Sequence, residues 1–538
     1  MTRTLFFGLI LLTGCTASKP ASSGDGGATS NVVDAVVVPM LTANGLTVVP
    51  EDNGILCRRL AIDLTGLAPT PQERADHCTG PGATAQNMAA YFLNKPAGAN
   101  VPDGSPPYVW VNRRWWADSF EYQSGTNPAS TYYTYVRELD QLVSDLYAGK
   151  IPYDVFAAKA LSSPAFARRF GVFEANHDLV QIASQAYRVF LGREALPSEA
   201  EDFGNLWGAW TSKFMDEPTS ETAYPDCPVT FDQQLNRIGC RHYELGLLGS
   251  QCAGVNQVSC QSTTLGDAQV VPAVATFVRW ADLTDADHAQ LEQAGKLMAA
   301  QPGFAEAAVD RALLKYLGWW KAGFYRPDFD LPAVRDALAQ KFRADAYDLR
   351  KLETEIVTSV LYTQAAARRP DQLATVPIWA FGPSKLVYAE AWLDSVGQAL
   401  GKSVGGCDFR FTGSGANKIA GFYVFKTAGV GANFYAPNAQ NMGGCPVAST
   451  HGDASGLVPA VTRRVVLSQL CPNALKPAAG ATVATLIAQA FDGVGRAPSD
   501  AESQILTKYM VLPTDGKLQP LADGLCTSLF ATTSFNYY

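Results

Sequence analysis

Few residues in this chain combine the type and the setting that chemistry needs, and histidine is the scarcest. There are five: His77, His177, His242, His288 and His451. A serine or cysteine nucleophile needs a base within hydrogen-bond reach, and no GxSxG elbow presents a serine. His451-Gly452-Asp453, in a Gly-rich C-terminal stretch, is the most site-like setting, because loops on a rigid scaffold often carry function. An ordinary exposed loop histidine is the plainer expectation there. Asp63 sits at the end of an otherwise apolar helical stretch, LAIDLTG. A buried acid needs a partner, and Arg58 or Arg59 is in reach, so a structural salt bridge is expected ahead of catalysis. Arg113-Arg114-Trp115-Trp116 could stack sugar rings or anions through cation–π contacts. At helical spacing, Trp110, Arg114 and Phe120 suit a core equally well. Paired carboxylates could hydrolyse glycosides, but 50 acidic residues single out no pair. Thr412-Gly413-Ser414-Gly415 does not lead from a strand into a helix, so no phosphate loop is expected.

Cysteine is the other informative type. Of 11 cysteines, Cys15 closes Leu12-Thr13-Gly14-Cys15 after a short basic start and an apolar run from Leu5 to Leu12. That run is too short to span a membrane and suits a signal peptide. The small residues before Cys15 form a bacterial lipobox, so residues 1–14 are expected to be removed and Cys15 lipidated. Several acyl chains then make the bilayer a stable partner. Thr16 is not the Asp that commonly retains lipoproteins in the inner membrane, so the outer membrane or cell surface is expected. Residues 15–30, TASKPASSGDGGATS after the cysteine, are too polar and small to fold and read as a flexible tether. The ten remaining cysteines suit an oxidising compartment. Local spacing suggests Cys57–Cys78, Cys227–Cys240, Cys252–Cys260, Cys407–Cys445 and Cys471–Cys526. No CxxC or Cys/His cluster has metal-ligand spacing, no CxxCH would attach a haem, and no cofactor is expected.

Size and charge narrow the classes. Removing 14 residues from 538 leaves 524, more than one core usually serves. At 47% apolar and 17% charged, the body is globular. A net charge of −8 argues against a nucleic-acid partner, which requires clustered Lys and Arg.

These residues must be positioned by helices. Three segments, beginning at Gly66, Gly192 and Gly495, share a grammar of Gly, Pro, hydroxyl and Glu. The glycines suit left-handed helix C-caps. Thr70, Ser198 and Ser499 are expected as N-caps, with Glu73, Glu201 and Glu502 closing capping boxes. Pro71 fits the first helical position. The preceding helices are placed at Ile55–Leu64, Gln181–Leu191 and Ala481–Val494, the middle one burying Ile182, Ala186, Val189 and Phe190. Arg193 and Arg496 are expected to pair with helix-end carbonyls or with the acid of the next helix. An echo recurs at Leu161–Phe166, Val357–Tyr362 and Ala531–Phe535: a helix end, a Ser/Thr pair, then an aromatic. The fold expected is mainly α, a multi-helix body of repeated helix-turn-helix modules with disulfide-stapled loop insertions. A small β-containing Gly-rich segment is expected around Phe422-Tyr423-Val424-Phe425. The division expected is an N-terminal helical domain (31–215), a Cys-rich insertion (216–270), a second helical domain (271–403) and a C-terminal region (404–538). Long loops such as the insertion are usually functional or flexible.

The segment Cys57–Glu73, CRRLAIDLTGLAPTPQE, resembles the "RRLxLDLTGLPPTPEE" opening of a large group of domains of unknown function. They are abundant in planctomycete and other bacterial cell-surface proteins, often beside a cytochrome-c module. Tyr108–Phe120 and Ile151–Phe156 are similar to that family's next segments. Pro302–Leu317 and Leu331–Tyr362 are similar to its partner domain, with Asp310 where the family usually has Asn. The C-terminal segments are similar to relatives in predatory and myxobacterial lineages. No cytochrome module is present here. The resemblance implies an envelope location and a helical fold, and supplies no catalytic residue. The expected function is a non-enzymatic envelope lipoprotein that binds an envelope protein or polysaccharide. The alternatives are a polysaccharide hydrolase or an accessory part of an extracytoplasmic electron-transfer assembly.

Overall fold

A computed structural model describes residues 31–97, 105–120, 131–163, 179–203, 214–215, 278–279, 285–318, 331–367, 376–401, 457–511 and 516–536, with single positions between 434 and 444. The protein is mainly helical. The first stretch carries α1 (Val32–Ala43), α2 (Asn53–Thr65), α3 (Pro71–His77), α4 (Ala85–Asn94), α5 (Pro107–Ser119), α6 (Thr131–Tyr147), α7 (Tyr153–Leu161) and α8 (Leu179–Leu191). Then come α9 (Asp285–Ala299), α10 (Phe304–Leu317), α11 (Pro332–Ala344), α12 (Leu349–Val357) and α13 (Val360–Thr363). The last stretch holds α14 (Ala389–Leu400), α15 (Leu457–Leu470), α16 (Val483–Gly493), α17 (Asp500–Tyr509), α18 (Gln519–Phe530) and α19 (Thr533–Asn536). Among the described residues the only strands are a two-residue parallel pair, Phe214–Met215 against Val278–Arg279. The Phe422–Phe425 strand candidate lies outside the described residues, as do Cys227, Cys240, Cys252, Cys260, Cys407 and Cys445.

Among the described residues, two hydrophobic clusters form. One gathers residues from Val33 to Trp379, so helices on both sides of the 216–270 segment share a core. The other runs from Val387 to Phe535 and takes one residue, Ile62, from near the N-terminus. Helix α2 lies between them, every residue from Leu56 to Thr65 buried. Helices α7 and α9 cross closely: a Cβ on Gly295 would stand 2.1 Å from the Ala158 Cα, so only glycine fits. Among the described residues, disulfides close two points. Cys57 of α2 joins Cys78 at the end of α3, and Cys471 after α15 joins Cys526 in α18.

The three repeated turns share one geometry. Gly66, Gly192 and Gly495 are all left-handed, with φ of 74°, 64° and 81°. The acid seven residues after each glycine folds back onto its own helix start. Thr70 and Glu73 form a capping box, as do Ser499 and Glu502. In the middle copy the expected N-cap Ser198 and box residue Glu201 are displaced. The helix begins at Pro197, and Glu199 accepts from the Leu196 N–H at 2.8 Å. The reason is register: counted from its glycine, Leu196 occupies the cap position, and Ser198 is already inside the helix. Arg193 grips Glu199 through two bonds of 2.7 and 2.6 Å, and Arg496 grips Glu502 identically. In the first copy Leu67 replaces the arginine, and Lys95 meets Glu73 instead.

Candidate functional site

Among the described residues, the strongest concentration of polar chemistry is built around α2. The Asp52 side chain caps its start, accepting from the Gly54 and Ile55 N–H groups. The helix then presents two pairs one turn apart, which face opposite ways. Arg58 and Ile62 look toward the C-terminal cluster, and Arg59 and Asp63 toward the larger one.

The two adjacent arginines do the same thing to two copies of the echo motif. Arg58 donates to the Phe535 carbonyl at 2.7 Å, and its guanidinium stands 5.0 Å from the Phe535 ring centre. Arg59 donates to the Tyr362 carbonyl at 2.6 Å and stands 5.7 Å from the Tyr362 ring centre. Both aromatics are the third residue of a four-residue helix, with N–H groups bonding back to Ser359 and Thr532 carbonyls. Arg59 also reaches Gln364 O and pairs with Glu51 at 3.1 Å.

Asp63, 7% exposed, does not pair with Arg58 or Arg59 as expected. Those guanidiniums are already held by the carbonyls and by Glu51. Its partner is Lys385, whose Nζ lies 2.7 and 2.8 Å from the two carboxylate oxygens. Tyr362 donates a further bond at 2.8 Å. Lys385 also donates to the backbone carbonyl of Lys315 at 2.8 Å, joining this group to a second one. There Lys315 Nζ meets Glu353 at 3.0 Å, the Tyr316 hydroxyl at 2.7 Å and the Asn112 side-chain oxygen. Glu353 accepts from Tyr108 and Tyr316, each at 2.6 Å. Burial pushes both lysines below the ordinary lysine range, and the facing carboxylates pull them back only in part. Burial pushes the phenols of Tyr108, Tyr316 and Tyr362 well up, with Glu353 or Asp63 adding to the effect. Each acid of this network meets a cation and at least one further donor. It therefore binds helices together.

Arg113 is spoken for as well, forked onto Asp140 and stacked over Trp110 at 5.4 Å. Trp116 is fully buried, packed among Phe120, Phe156 and Tyr153, with its indole N–H given to Tyr147. Trp110 and Phe120 are also core. Trp115 is half-buried and meets Trp116 edge-on. The cation over these two indoles comes from elsewhere: Arg311 of α10, 4.6 Å from Trp116 and 5.6 Å from Trp115. The Arg114 side chain, Cys15, His451 and Asp453 lie outside the described residues.

Residues 32–191 match the model of the family described as PSCyt2, protein of unknown function (DUF1549). The PSCyt2 match therefore covers α1 to α8, 160 of 538 residues, including α2 with its two arginines and Asp63. It agrees with the family suggested by the Cys57–Glu73 motif. No match is found among curated proteins or solved structures. Much of the network lies beyond the PSCyt2 segment, in Lys315, Tyr316, Glu353, Tyr362 and Lys385. Sequence inspection missed these residues, although two left a signal. Lys315 continues the Phe304–Ala308 face of α10, and Glu353 lies on the Leu349–Ile356 face of α12. A charge on an apolar stripe implies a buried partner.

Proposed function

We propose that this protein is an envelope or cell-surface lipoprotein, tethered to the bilayer through Cys15, whose helical body is a rigid scaffold for binding an envelope protein or polysaccharide. The observation that carries the scaffold reading is the fate of Asp63. This acid, in an otherwise apolar stretch, gives both oxygens to Lys385 and accepts from Tyr362, and so holds α2 to two other parts of the chain. The lipobox and the supply of cysteines for an oxidising compartment support the location. Among the described residues, no helix is long and apolar enough to cross a membrane.

Labelled palmitate fed to expressing cells tests the anchor. Label is expected on the full chain and absent from Cys15→Ala, which is released from the membrane fraction; label that persists in Cys15→Ala overturns the assignment. Incubation with isolated envelope polysaccharide tests the scaffold: retention without release of new reducing ends is expected. Release of reducing ends that disappears in an acidic-residue variant would establish the hydrolase instead.

A further inference from the structure

The stretch of chain that carries α1 presents a surface without charge. From Ala35 to Pro50 it reads AVVVPMLTANGLTVVP, 16 residues with no acid, base, histidine or aromatic. Only one side of it is used inside. Helix α1 buries Val33, Val37 and Leu41 against α11, α12 and α13. Its other side turns Ala35, Val38, Pro39, Thr42 and Ala43 to solvent, and the chain after it exposes Val48 and Val49. Val38 and Val48 are each 39% exposed and Val49 58%, whereas a helix on a folded body usually turns its polar face outward. The polar groups are withdrawn as well. Thr42 Oγ1 donates to the Val38 carbonyl at 3.0 Å, and the Asn44 side chain to the Met40 carbonyl at 2.8 Å. The charges that bound the run turn inward: Asp34 accepts from the Val360 N–H at 2.6 Å, and Glu51 pairs with Arg59. Taking this surface out of water therefore strands no charge and few polar groups.

We infer that the outer side of α1 and the Val48–Val49 segment rest on the lipid surface to which Cys15 tethers the chain. This rests on the lipid-anchor reading proposed above and adds the face on which the body sits. The occupant follows from where the tether ends. Sixteen residues lead from Cys15 to Asn31, a reach of at most about 55 Å. Asn31 is held to the body: its side-chain amide donates to the Glu355 carbonyl at 2.7 Å, and its side-chain oxygen accepts from the Val33 N–H. The first element behind the anchor is thus α1 itself. Linking a weak contact to an anchor makes it intramolecular, so a few small aliphatic side chains suffice. A protein partner calls for a different surface, because interface cores are enriched in aromatic residues and arginine, and the run has neither. The attraction is not electrostatic either, since the run has no Lys or Arg and a net charge of −8 opposes an anionic membrane. The contact is shallow, apolar and indifferent to headgroup charge.

The test uses the purified lipidated chain in phosphatidylcholine vesicles that carry a phospholipid with a photoreactive diazirine near its headgroup. Labelled peptides are then mapped by mass spectrometry. Label is expected to concentrate on residues 32–51, and to do so equally when phosphatidylglycerol is added or salt is raised. Val38→Asp/Val49→Asp should cut the label there by about tenfold or more, the factor that loss of one buried valine implies. Palmitate on Cys15 and the melting temperature should not change in that variant, because both valines are exposed. Label spread evenly over the body, concentrated elsewhere, or unchanged in the double variant would overturn the docking face. Sedimentation of Cys15→Ala without vesicles tests the rival occupant. A monomer is expected; a dimer abolished by Val38→Asp/Val49→Asp would assign the face to a second copy instead. Palmitate on Cys15 without label on this face removes the docking face alone, whereas absence of palmitate removes the anchor reading and this inference with it.

Discussion

An aspartate sealed from water must find a cation or give up its charge. Asp63 finds Lys385, and Tyr362 takes up further acceptor capacity. Removing one partner strands the other, so Asp63→Asn is expected to lose roughly 3–5 kcal/mol of stability, read from urea unfolding. The neighbouring arginines divide their work, one for each cluster. Arg59→Met removes the bonds to Glu51, to Tyr362 O and to Gln364 O, and should destabilise the protein by a similar amount. Arg58→Met should act on the C-terminal cluster through Phe535. At this scale the sequence was half legible. That Asp63 would be held by a cation followed from one acid in an apolar stretch. Which cation holds it did not, because Lys385 is more than 300 residues away and carries no local signal. The Trp115–Arg311 contact was hidden for the same reason, whereas Trp110 and Phe120 at helical spacing already suited a core.

At the scale of elements, the repeated turn accounts for its own variations. Gly and Glu keep the spacing in all three copies, Arg in the last two, and the cap residue is Thr, Leu or Ser. Leu196 is 58% exposed, so replacing it sacrifices little packing. Leu196→Ser should supply the missing hydroxyl to the Glu199 N–H and stabilise the protein by about 1 kcal/mol, seen as a raised melting temperature. In the third copy, burial pushes the Glu502 carboxyl up, but Arg496 and the Ser499 N–H overcome this and hold it at about 2. A carboxylate lowered on folding contributes stability that is complete above its unfolded value, 4.5, and is lost as pH falls toward 2. Arg496→Gln should therefore return Glu502 toward its ordinary value, as followed by NMR titration. It should also move acid unfolding of α16–α17 to higher pH. The turn was legible in the sequence because its signal is local: glycine for positive φ, and an acid that can reach its own N-cap. Ser198 has the residue type of a cap but, counted from Gly192, lies two positions past the cap and inside the helix.

At the scale of the molecule, α2 is shared between two cores, and the disulfides brace both sides of it. Chain-entropy arguments give about 3 kcal/mol for closing the loop between Cys57 and Cys78, and about 4 kcal/mol for Cys471 and Cys526. The Cys471→Ala/Cys526→Ala double variant should lose stability near the larger figure, and added reductant should have no further effect at that bridge. Mainly helical architecture was evident from amphipathic spacing and caps. The joining of helices from both sides of the 216–270 segment into one core was not, since it depends on contacts between distant segments.

The central claim is that the charged interior around α2 is a structural lock rather than a reaction centre. A double-mutant cycle on Asp63 and Lys385 tests it most directly, with stability and envelope-polysaccharide binding measured on the same samples. Asp63→Leu and Lys385→Met should each be strongly destabilising, their combination should recover much of the loss, and binding should survive in every variant that folds. Additive, near-zero stability effects accompanied by loss of binding or of an activity would contradict the account and make Asp63 a functional acid.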